Sequence, residues 1–194
     1  MLHPDSRAAL LAIARSSVRA AVEGREPDEP APENPALHRP GAAFVTLRID
    51  GALRGCIGHL TAEQPLWLSV REMAASAATR DDRFSPIEAA EEPGVRIEIS
   101  VLSPRRRIGG PKDIVVGRDG LYVRRGASSG LLLPQVASEH GWTVEEFLSQ
   151  TCRKAGLPIE AWQDPATSIE SFTAEVFGEE PASGSKHQAS GEDS

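Results

Sequence analysis

A cysteine and an arginine lie two positions apart in segment 53–58, LRGCIG, and their side chains could support thiol chemistry. The thiolate is the nucleophilic form of cysteine, and a neighbouring cation favours it. Cys56 is therefore a candidate nucleophile or redox-active thiol, and Arg54 is the cation expected to lower its pKa. His59 and Glu98 are the groups that could move protons. These four residues form the predicted catalytic set.

A purely structural role accounts for the same cysteine. Free cysteines are among the most buried residues, so Cys56 could pack as a small apolar side chain between Gly55 and Gly58. Arg54 would then serve a neighbouring carboxylate. The two glycines fit both roles, because a residue without a side chain permits close approach of a second backbone or of a ligand. The residues alone leave both alternatives open.

Segment 53–58 is expected to lie in the second strand of a β-hairpin. Residues 43–49 alternate apolar and polar side chains, as in a half-buried strand. Asp50-Gly51 favours a two-residue type I′ turn. In an uninterrupted hairpin, the cross-strand pairs are Ile49 with Ala52, Leu47 with Arg54 and Val45 with Cys56. The thiol and the guanidinium would then share the apolar face, whereas a β-bulge at Gly55 would move Cys56 to the other face.

The remaining pattern predicts an α+β protein with an antiparallel sheet and flanking helices. Apolar spacing and capping signals predict helices from about 5 to 21, 65 to 80, 134 to 140, and from Thr143 to just before Gly156. Alternation predicts further strands at 95–103 and 168–177. Residues 114–116 and 121–124 are expected to form a hairpin-like unit around a turn at 117–120. Segment 126–130 is expected to be a mobile loop with weak anion-binding potential.

Two charged positions allow both a structural and a functional interpretation. In segment 81–84, a carboxylate could accept backbone hydrogen bonds and Arg83 could form a bidentate pair with it, which is favoured over a binding role for Arg83. Glu98 lies in the middle of the expected central strand, where a surface or ion-paired glutamate is the simplest interpretation.

Cys152, the second cysteine, has the helical spacing of a buried residue.

Composition excludes several classes of protein. The chain has 194 residues, 40% of them hydrophobic, which suffices for a core. Its net charge of −7 comes from segments 23–33 and 178–194, which carry −4 and −3, so the remainder is neutral. No run approaches the roughly 18 apolar residues of a membrane span, and the two cysteines and scattered histidines match no zinc site. We expect a cytoplasmic protein with reduced thiols and no membrane association.

Segment 53–58 resembles the signature of the AMMECR domain family, called AmmeMemoRadiSam system protein A in microbes. The resemblance continues in order through segments 43–47, 82–84, 97–103, 117–121, 133–136, 152–158 and 175–177. Asp82 departs from the pattern, since the family usually has proline there. The resemblance implies a two-lobed fold over 1–178, with a smaller α/β lobe inserted in mid-chain. Composition predicts a disordered acidic Gly/Ser tail at 179–194.

The resemblance also implies a cleft between the lobes, centred on Arg54 and Cys56 and including Glu98. The binding residues expected there are Gly55, Gly58, Arg83, Ser100, Pro134 and Gln135. It further implies partner proteins of the Memo-like and radical-SAM types. It specifies neither a cofactor nor a reaction.

Three functions therefore remain open. The first is a ligand-binding protein that works with such partners, and the second is a thiol-dependent enzyme acting on a small molecule or modified nucleotide. The third is RNA binding, for which the sequence offers only the arginine clusters 105–107 and 124–125 without aromatic stacking platforms. Nucleic acid is the least expected partner.

Overall fold

The computed structural model describes residues 1–179 and has an α+β fold. The helices are α1 (Pro4–Val22), α2 (Leu66–Thr79), α3 (Pro134–Glu139) and α4 (Val144–Lys154). The strands are β1 (Ala42–Ile49), β2 (Ala52–Gly58), β3 (Arg96–Leu102), β4 (Arg106–Arg107), β5 (Asp119–Arg125), β6 (Ser128–Leu132) and β7 (Ser168–Gly178). Within these residues no helix is long and apolar enough to cross a membrane. Of the tail 179–194, expected to be disordered, residues 180–194 lie outside the described residues, whereas Glu179 is described and pairs with Arg15.

All strands belong to one antiparallel sheet with the order β2-β1-β3-β7-β5-β6, and β4 pairs with β7. The helices lie on one side of the sheet, where their apolar faces are buried against the strands. Helices α1 and α2 pack on β1 and β3 in a cluster that includes Val45, Leu47 and Ile99. Helix α4 packs on β5 in a second cluster that includes Phe147 and Leu121. The sheet thus has two hydrophobic cores on one side.

The opposite side of the sheet, which we call the inner face, carries Phe44, Thr46 and Ser100. Alternate residues of a strand point to opposite sides, so these residues face away from Val45 and Leu47. Leu131 of β6 packs in one cluster with residues of β1, β3 and β7 on this face. Three strands separate β6 from β1 along the sheet, and residues of both belong to this one cluster because the sheet curls. The inner face is consequently concave.

The predicted helices form, and their ends follow local capping chemistry. The capping box of α4 is confirmed: the Glu146 N–H donates to Thr143 Oγ1 at 3.2 Å, and the Thr143 N–H donates to Glu146 Oε2 at 2.8 Å. Helix α1 begins at Pro4 rather than after Asp5 or Ser6. Its N-cap is His3, whose side chain accepts a hydrogen bond from the Asp5 N–H. Proline at the first helical position suits this start.

The first hairpin has the expected turn but not the expected register. Asp50 and Gly51 both have positive φ, 49° and 81°, and Ile49 pairs with Ala52 as predicted. Arg48 then pairs with Leu53 and Leu47 with Gly55, so Arg54 is an extra residue opposite no partner. This β-bulge shifts the following pairs by one residue. The pairs Val45–Cys56 and Leu47–Arg54 of an uninterrupted hairpin are therefore wrong. The alternative with a bulge is the one present, one residue before Gly55, and Cys56 pairs with Thr46 on the inner face.

The second hairpin turns later than predicted. Strands β5 and β6 pair from Leu121–Leu132 to Arg125–Ser128, so the turn is at 126–127, where Gly126 has a φ of 58°. Residues 114–116 form no strand, and segment 126–130 is a turn and a strand rather than a loop. Gly130 lies against α4, since a Cβ on it would be 2.4 Å from the Ala155 nitrogen. Close packing between strand and helix thus accounts for this glycine.

Gly55 provides a test of the contact between β2 and α2. A Cβ at this position would lie 2.1 Å from the Ala77 carbonyl oxygen, and that backbone atom cannot move without displacing the helix. We expect Gly55→Ala to lower the free energy of unfolding by at least about 1–3 kcal/mol, the usual cost of overpacking. Urea unfolding followed by circular dichroism measures this change.

The matched control is Gly94→Ala. A Cβ there would meet only Ile49 Cγ2, at an ordinary 3.8 Å, and the backbone is not left-handed. Equal stability of the two variants would contradict the close contact at Gly55.

Candidate functional site

Cys56, Thr46 and Glu98 lie in a row across three neighbouring strands on the inner face. Thr46 of β1 pairs with Cys56 of β2 on one side and with Glu98 of β3 on the other. Directly paired residues point to the same side of a sheet. The Thr46 hydroxyl donates a hydrogen bond to Cys56 Sγ at 3.3 Å. The bulge therefore brings the thiol and the carboxylate to one surface, with a hydroxyl between them.

Glu98 and Ser100 carry polar groups without protein partners. Both belong to β3 and point to the inner face, Glu98 partly buried and Ser100 only 3% exposed. Within residues 1–179, neither side chain makes a hydrogen bond or an ion pair. Burying a charge or a hydroxyl without a partner costs free energy, so such groups are expected to meet water or a ligand.

Arg54 does not share this surface with the thiol. As the bulged residue, it points to the segment that follows α2, where its Nε and Nη2 donate to the two Glu91 carboxylate oxygens, both at 2.9 Å. It also donates to the carbonyl oxygens of Ser85 at 2.6 Å and Pro86 at 3.2 Å. The hydrogen bonds with Glu91 raise the pKa of Arg54, and those from Arg54 lower the pKa of Glu91. Arg54 thus anchors a loop, which is the structural alternative that the sequence allowed.

Asp81 and Arg83 bind the main chain of Cys56 instead. The Cys56 N–H donates to Asp81 Oδ2 at 2.7 Å, and Arg83 Nη2 donates to the Cys56 carbonyl oxygen at 3.2 Å. Arg83 also donates to both Asp81 oxygens, at 2.9 and 2.7 Å. These hydrogen bonds from Arg83 are the main reason that the pKa of Asp81 lies well below its usual range. The bidentate pair expected for Arg83 is present and also holds the signature segment.

His59 lies on the helix side of the sheet, away from Cys56. Its Nε2 is 3.9 Å from a carboxylate oxygen of Glu72 on α2. Both residues line a cavity of about 730 Å³ between α1, α2 and the loop after α1. The sheet therefore separates His59 from the thiol, and the four residues of the predicted catalytic set do not form one cluster.

The two glycines of the signature have packing roles. Gly55 allows the contact with α2 described above. Gly58 pairs with Phe44, and a Cβ on it would lie 2.2 Å from the Phe44 ring. The aromatic ring thus covers the glycine on the inner face, beside Cys56. Packing accounts for both positions without a ligand.

Pro134 and Gln135 begin α3, directly after β6. Because β6 and β7 are both antiparallel to β5, they run in the same direction. The residues after β6 thus lie towards the sheet end where Gly178 of β7 pairs with Glu98. Pro134 is buried, and the Gln135 Oε1 atom is buried without a hydrogen-bond partner. The Gln135 Oε1 atom is thus a further unpaired polar atom, on the β6 side of the sheet.

Comparisons with known proteins agree with this architecture. A family model described as AMMECR1 matches residues 11–177. The chain belongs to the AMMECR1 family. Its relatives include Protein NEQ441 of Nanoarchaeum equitans, 40% identical over 178 residues that cover 88% of this chain and 99% of the relative. Protein TK0174 of Thermococcus kodakarensis is 44% identical over 182 residues, covering 88% and 89% of the two chains.

A crystal structure from the family has the same fold. It is the structure of Uncharacterized Protein PH0010 from Pyrococcus horikoshii, which is 42% identical to this chain. The TM-score is 0.82, with 88% of this chain and 90% of that chain covered. The α+β fold implied by the resemblance is confirmed, and the names of these relatives state no activity.

The other reactive or charged groups lie elsewhere in this AMMECR1-family chain. Cys152 of α4 is fully buried, and burial raises the pKa of its thiol. Arg105 lies 4.2 Å from the centre of the Tyr122 ring and pairs with Glu170. Arg125 pairs with Asp164. Across residues 1–179, no group of three or more His, Cys, Asp or Glu side chains could hold a metal ion.

Sequence reasoning missed two parts of the site. Thr46 was not selected, because an uninterrupted hairpin places it on the face opposite Cys56. The contact of Asp81 and Arg83 with the Cys56 backbone was also missed, because it joins positions 25 and 27 residues apart. The signal that could have pointed to this contact is the position of β2 at the edge of the sheet, because the outward N–H and C=O groups of an edge strand need hydrogen-bond partners.

The Asp81–Arg83 pair predicts a specific dependence of stability on pH. A carboxyl whose pKa is lower in the folded than in the unfolded protein stabilises the fold above its unfolded value, near 3.9, and this contribution is lost as the pH falls below it. We expect Asp81→Asn to make the decline in free energy of unfolding between about pH 5 and 3 shallower, by up to about 1.4 kcal/mol per pH unit. Urea unfolding at several pH values measures it.

The control is Asp50→Asn, since Asp50 is exposed at the turn between β1 and β2 and asparagine tolerates its positive φ. Its curve is expected to parallel that of the wild type. A parallel curve for Asp81→Asn as well would contradict the prediction.

Proposed function

We propose that this protein binds a small molecule on the inner face, between the Cys56 thiol and the Glu98 carboxylate. The observation that carries the proposal is the partly buried Glu98 carboxylate, which has no hydrogen bond or ion pair within residues 1–179. Leaving a charge partly desolvated and unpaired is unfavourable, so binding a complementary group there is favourable. The ligand is therefore expected to present an amine or another N–H or O–H donor to Glu98.

Strand spacing sets the size of the ligand. Cys56 and Glu98 lie two strands apart, which corresponds to about 9.6 Å between their main chains. A direct proton transfer needs heavy atoms about 3 Å apart. The two side chains thus leave room for a group of a few atoms between them, above Thr46 and next to Ser100. The unpaired Ser100 hydroxyl is an additional hydrogen-bonding group for such a ligand, and the Phe44 ring over Gly58 adds an apolar surface beside Cys56.

A thiol-dependent enzyme is the second candidate. It is favoured by the hydrogen bond from the Thr46 hydroxyl to Cys56 Sγ, because a donor to sulfur stabilises the thiolate. Cys56 would then act as the nucleophile towards a small molecule or modified nucleotide, and Glu98 would accept a proton from the bound substrate. His59 could not take this role from the other side of the sheet.

The family resemblance adds partner proteins to the proposal. Memo-like and radical-SAM proteins would bind the protein and supply or consume its ligand. The Cys56 side chain points into the sheet's concave face rather than to an outer surface, so replacing its sulfur is expected to leave such an interface intact.

Charged thiol reagents test the ligand site. We expect the cationic reagent trimethylammonioethyl methanethiosulfonate to modify Cys56 faster than the anionic sulfonatoethyl reagent at low ionic strength, because Glu98 attracts the cation. Glu98→Gln should reduce the ratio of the two rates about threefold to tenfold. Mass spectrometry of the Cys56 peptide measures the rates.

Glu160→Gln is the matched control, as Glu160 is exposed and lies in the other half of the protein. An unchanged rate ratio in Glu98→Gln, or an equal change in Glu160→Gln, would show that the carboxylate does not face the thiol surface.

A binding experiment tests the partners. Purified wild type and Cys56→Ser should both co-elute in size-exclusion chromatography with a Memo-like or radical-SAM protein from the same genome. Separate elution of the wild type from both proteins would remove this part of the proposal.

A further inference from the structure

We propose that Arg83, held in place by Asp81, is the positioning residue that fixes Cys56 and supplies the positive charge favouring its thiolate. The inference rests on the proposed function, since it concerns the thiol of that site. It assigns to Arg83 the role that the sequence suggested for Arg54. Arg83 acts through the main chain and the charge of its guanidinium, without touching the ligand.

The first step is the position of Cys56 at the edge of the sheet. Strand β2 has a neighbour only on the β1 side, so its outward N–H and C=O groups lack strand partners. Asp81 accepts from the Cys56 N–H, and Arg83 donates to the Cys56 carbonyl oxygen. A residue of a neighbouring strand would provide the same two hydrogen bonds, one accepted from the N–H and one donated to the carbonyl oxygen. Cys56 is thereby held from both sides, which fixes the direction of its side chain onto the inner face.

The second step is the balance of charge around the thiol. The charged groups near Cys56 and on its face of the sheet are Asp81, Asp82 and Arg83 after α2, Glu98 and Arg96 on β3, and Arg48 on β1. The three carboxylates disfavour a thiolate, while the guanidinium groups favour it. Arg48 donates to the Gly51 carbonyl oxygen at the hairpin turn. Arg83 is the cation that contacts Cys56 itself.

The third step is the coupling between Arg83 and Cys56. The pKa of Arg83 is raised chiefly by its hydrogen bonds to Asp81, and the charges of Asp81, Cys56 and Asp82 add to this effect. Because Arg83 Nη2 is 3.2 Å from the Cys56 carbonyl oxygen, its positive charge lies next to the residue that carries the thiol. Arg54 receives no such contribution from Cys56; its pKa depends on Glu91 and Glu88.

The surface on which the Asp81–Arg83 pair holds Cys56 carries other polar groups as well. Ser100, 97% buried with its hydroxyl unpaired among the described residues, lies on the same face one strand from Thr46. The thiol, the Ser100 hydroxyl and the Glu98 carboxylate thus face one space. A change in the charge of the thiol therefore also changes the electrostatic surroundings of the Ser100 hydroxyl and the Glu98 carboxylate.

The pH profile of Cys56 alkylation tests the inference. The rate of iodoacetamide modification of the full chain would be measured across pH at low ionic strength, following the Cys56 peptide by mass spectrometry. We expect Arg83→Gln to move the midpoint up by about 0.5–1 pH unit, or about threefold to tenfold slower reaction below the midpoint. Arg83→Lys should restore most of the shift, because it keeps the charge.

The structure offers a matched control in Arg118→Gln. Arg118 binds Asp119 through the same two donors, at 3.0 and 2.7 Å, and its side chain is 54% exposed, against 53% for Arg83. Its loss removes an equivalent ion pair far along the chain from Cys56. We expect the wild-type midpoint in Arg118→Gln and also in Arg54→Gln.

Two results would overturn the inference: a midpoint in Arg83→Gln equal to that of the wild type, or reaction of Cys56 only after unfolding. A shift of equal size in Arg54→Gln would also overturn it, since the assignment to Arg83 would then be lost. The ligand proposal fails separately, through the charged reagents and Glu98→Gln. A shifted midpoint with no reagent selectivity would leave the role of Arg83 intact and remove the ligand site.

Discussion

The single extra residue in β2 is the constraint on which the site depends. Had the hairpin continued without a bulge, Cys56 would have entered the core beneath α2, and Arg54 would have pointed into the same apolar layer. The bulge reverses this for every residue after Arg54, because side chains alternate along a strand. It places the thiol opposite Thr46 on the inner face and turns Gly55 towards α2. Because of one inserted residue, Gly55 packs against the helix while the neighbouring Cys56 lies on the opposite face, the face of the proposed ligand site.

The bulge also solves the problem of an exposed sheet edge. An unpaired edge strand is a site for unwanted pairing, and native proteins cover or interrupt it. Here the chain after α2 returns along β2 and is attached twice, through Arg54 to Glu91 and through the Asp81–Arg83 pair to Cys56. Both attachments use bidentate guanidinium–carboxylate geometry, which is stronger and more directional than a single hydrogen bond. The outer edge of β2 is therefore covered by the loop that follows α2 rather than by another strand.

The sequence predicted what local chemistry determines and missed what long-range contacts determine. The Asp50-Gly51 turn, the capping box at Thr143 and the alternation in β3 are local, and all three are present. The sequence allowed a bulge at Gly55 as an alternative but could not decide between it and the uninterrupted hairpin, because the benefit of the bulge comes from α2, more than ten residues further along the chain. The second turn was misplaced because 117–120 has glycines and an aspartate, yet Asp119 is 2% exposed and bound to Arg118. Of the candidate site, only Cys56 and Glu98 of the four expected residues lie on one face.

The two arginine–aspartate pairs show where structural and functional interpretations diverge. Asp81 and Asp119 are both almost fully buried, both bound by two donors of a nearby arginine, and both accept a backbone N–H, from Cys56 and Val115 respectively. Physically they are the same device for fixing a stretch of main chain. At Asp119 the fixed residue is a valine, so the device can serve the fold alone. At Asp81 it is a cysteine at the edge of a concave face with unpaired polar groups, so the same fold-stabilising contact also determines where a reactive side chain points and which charge it meets.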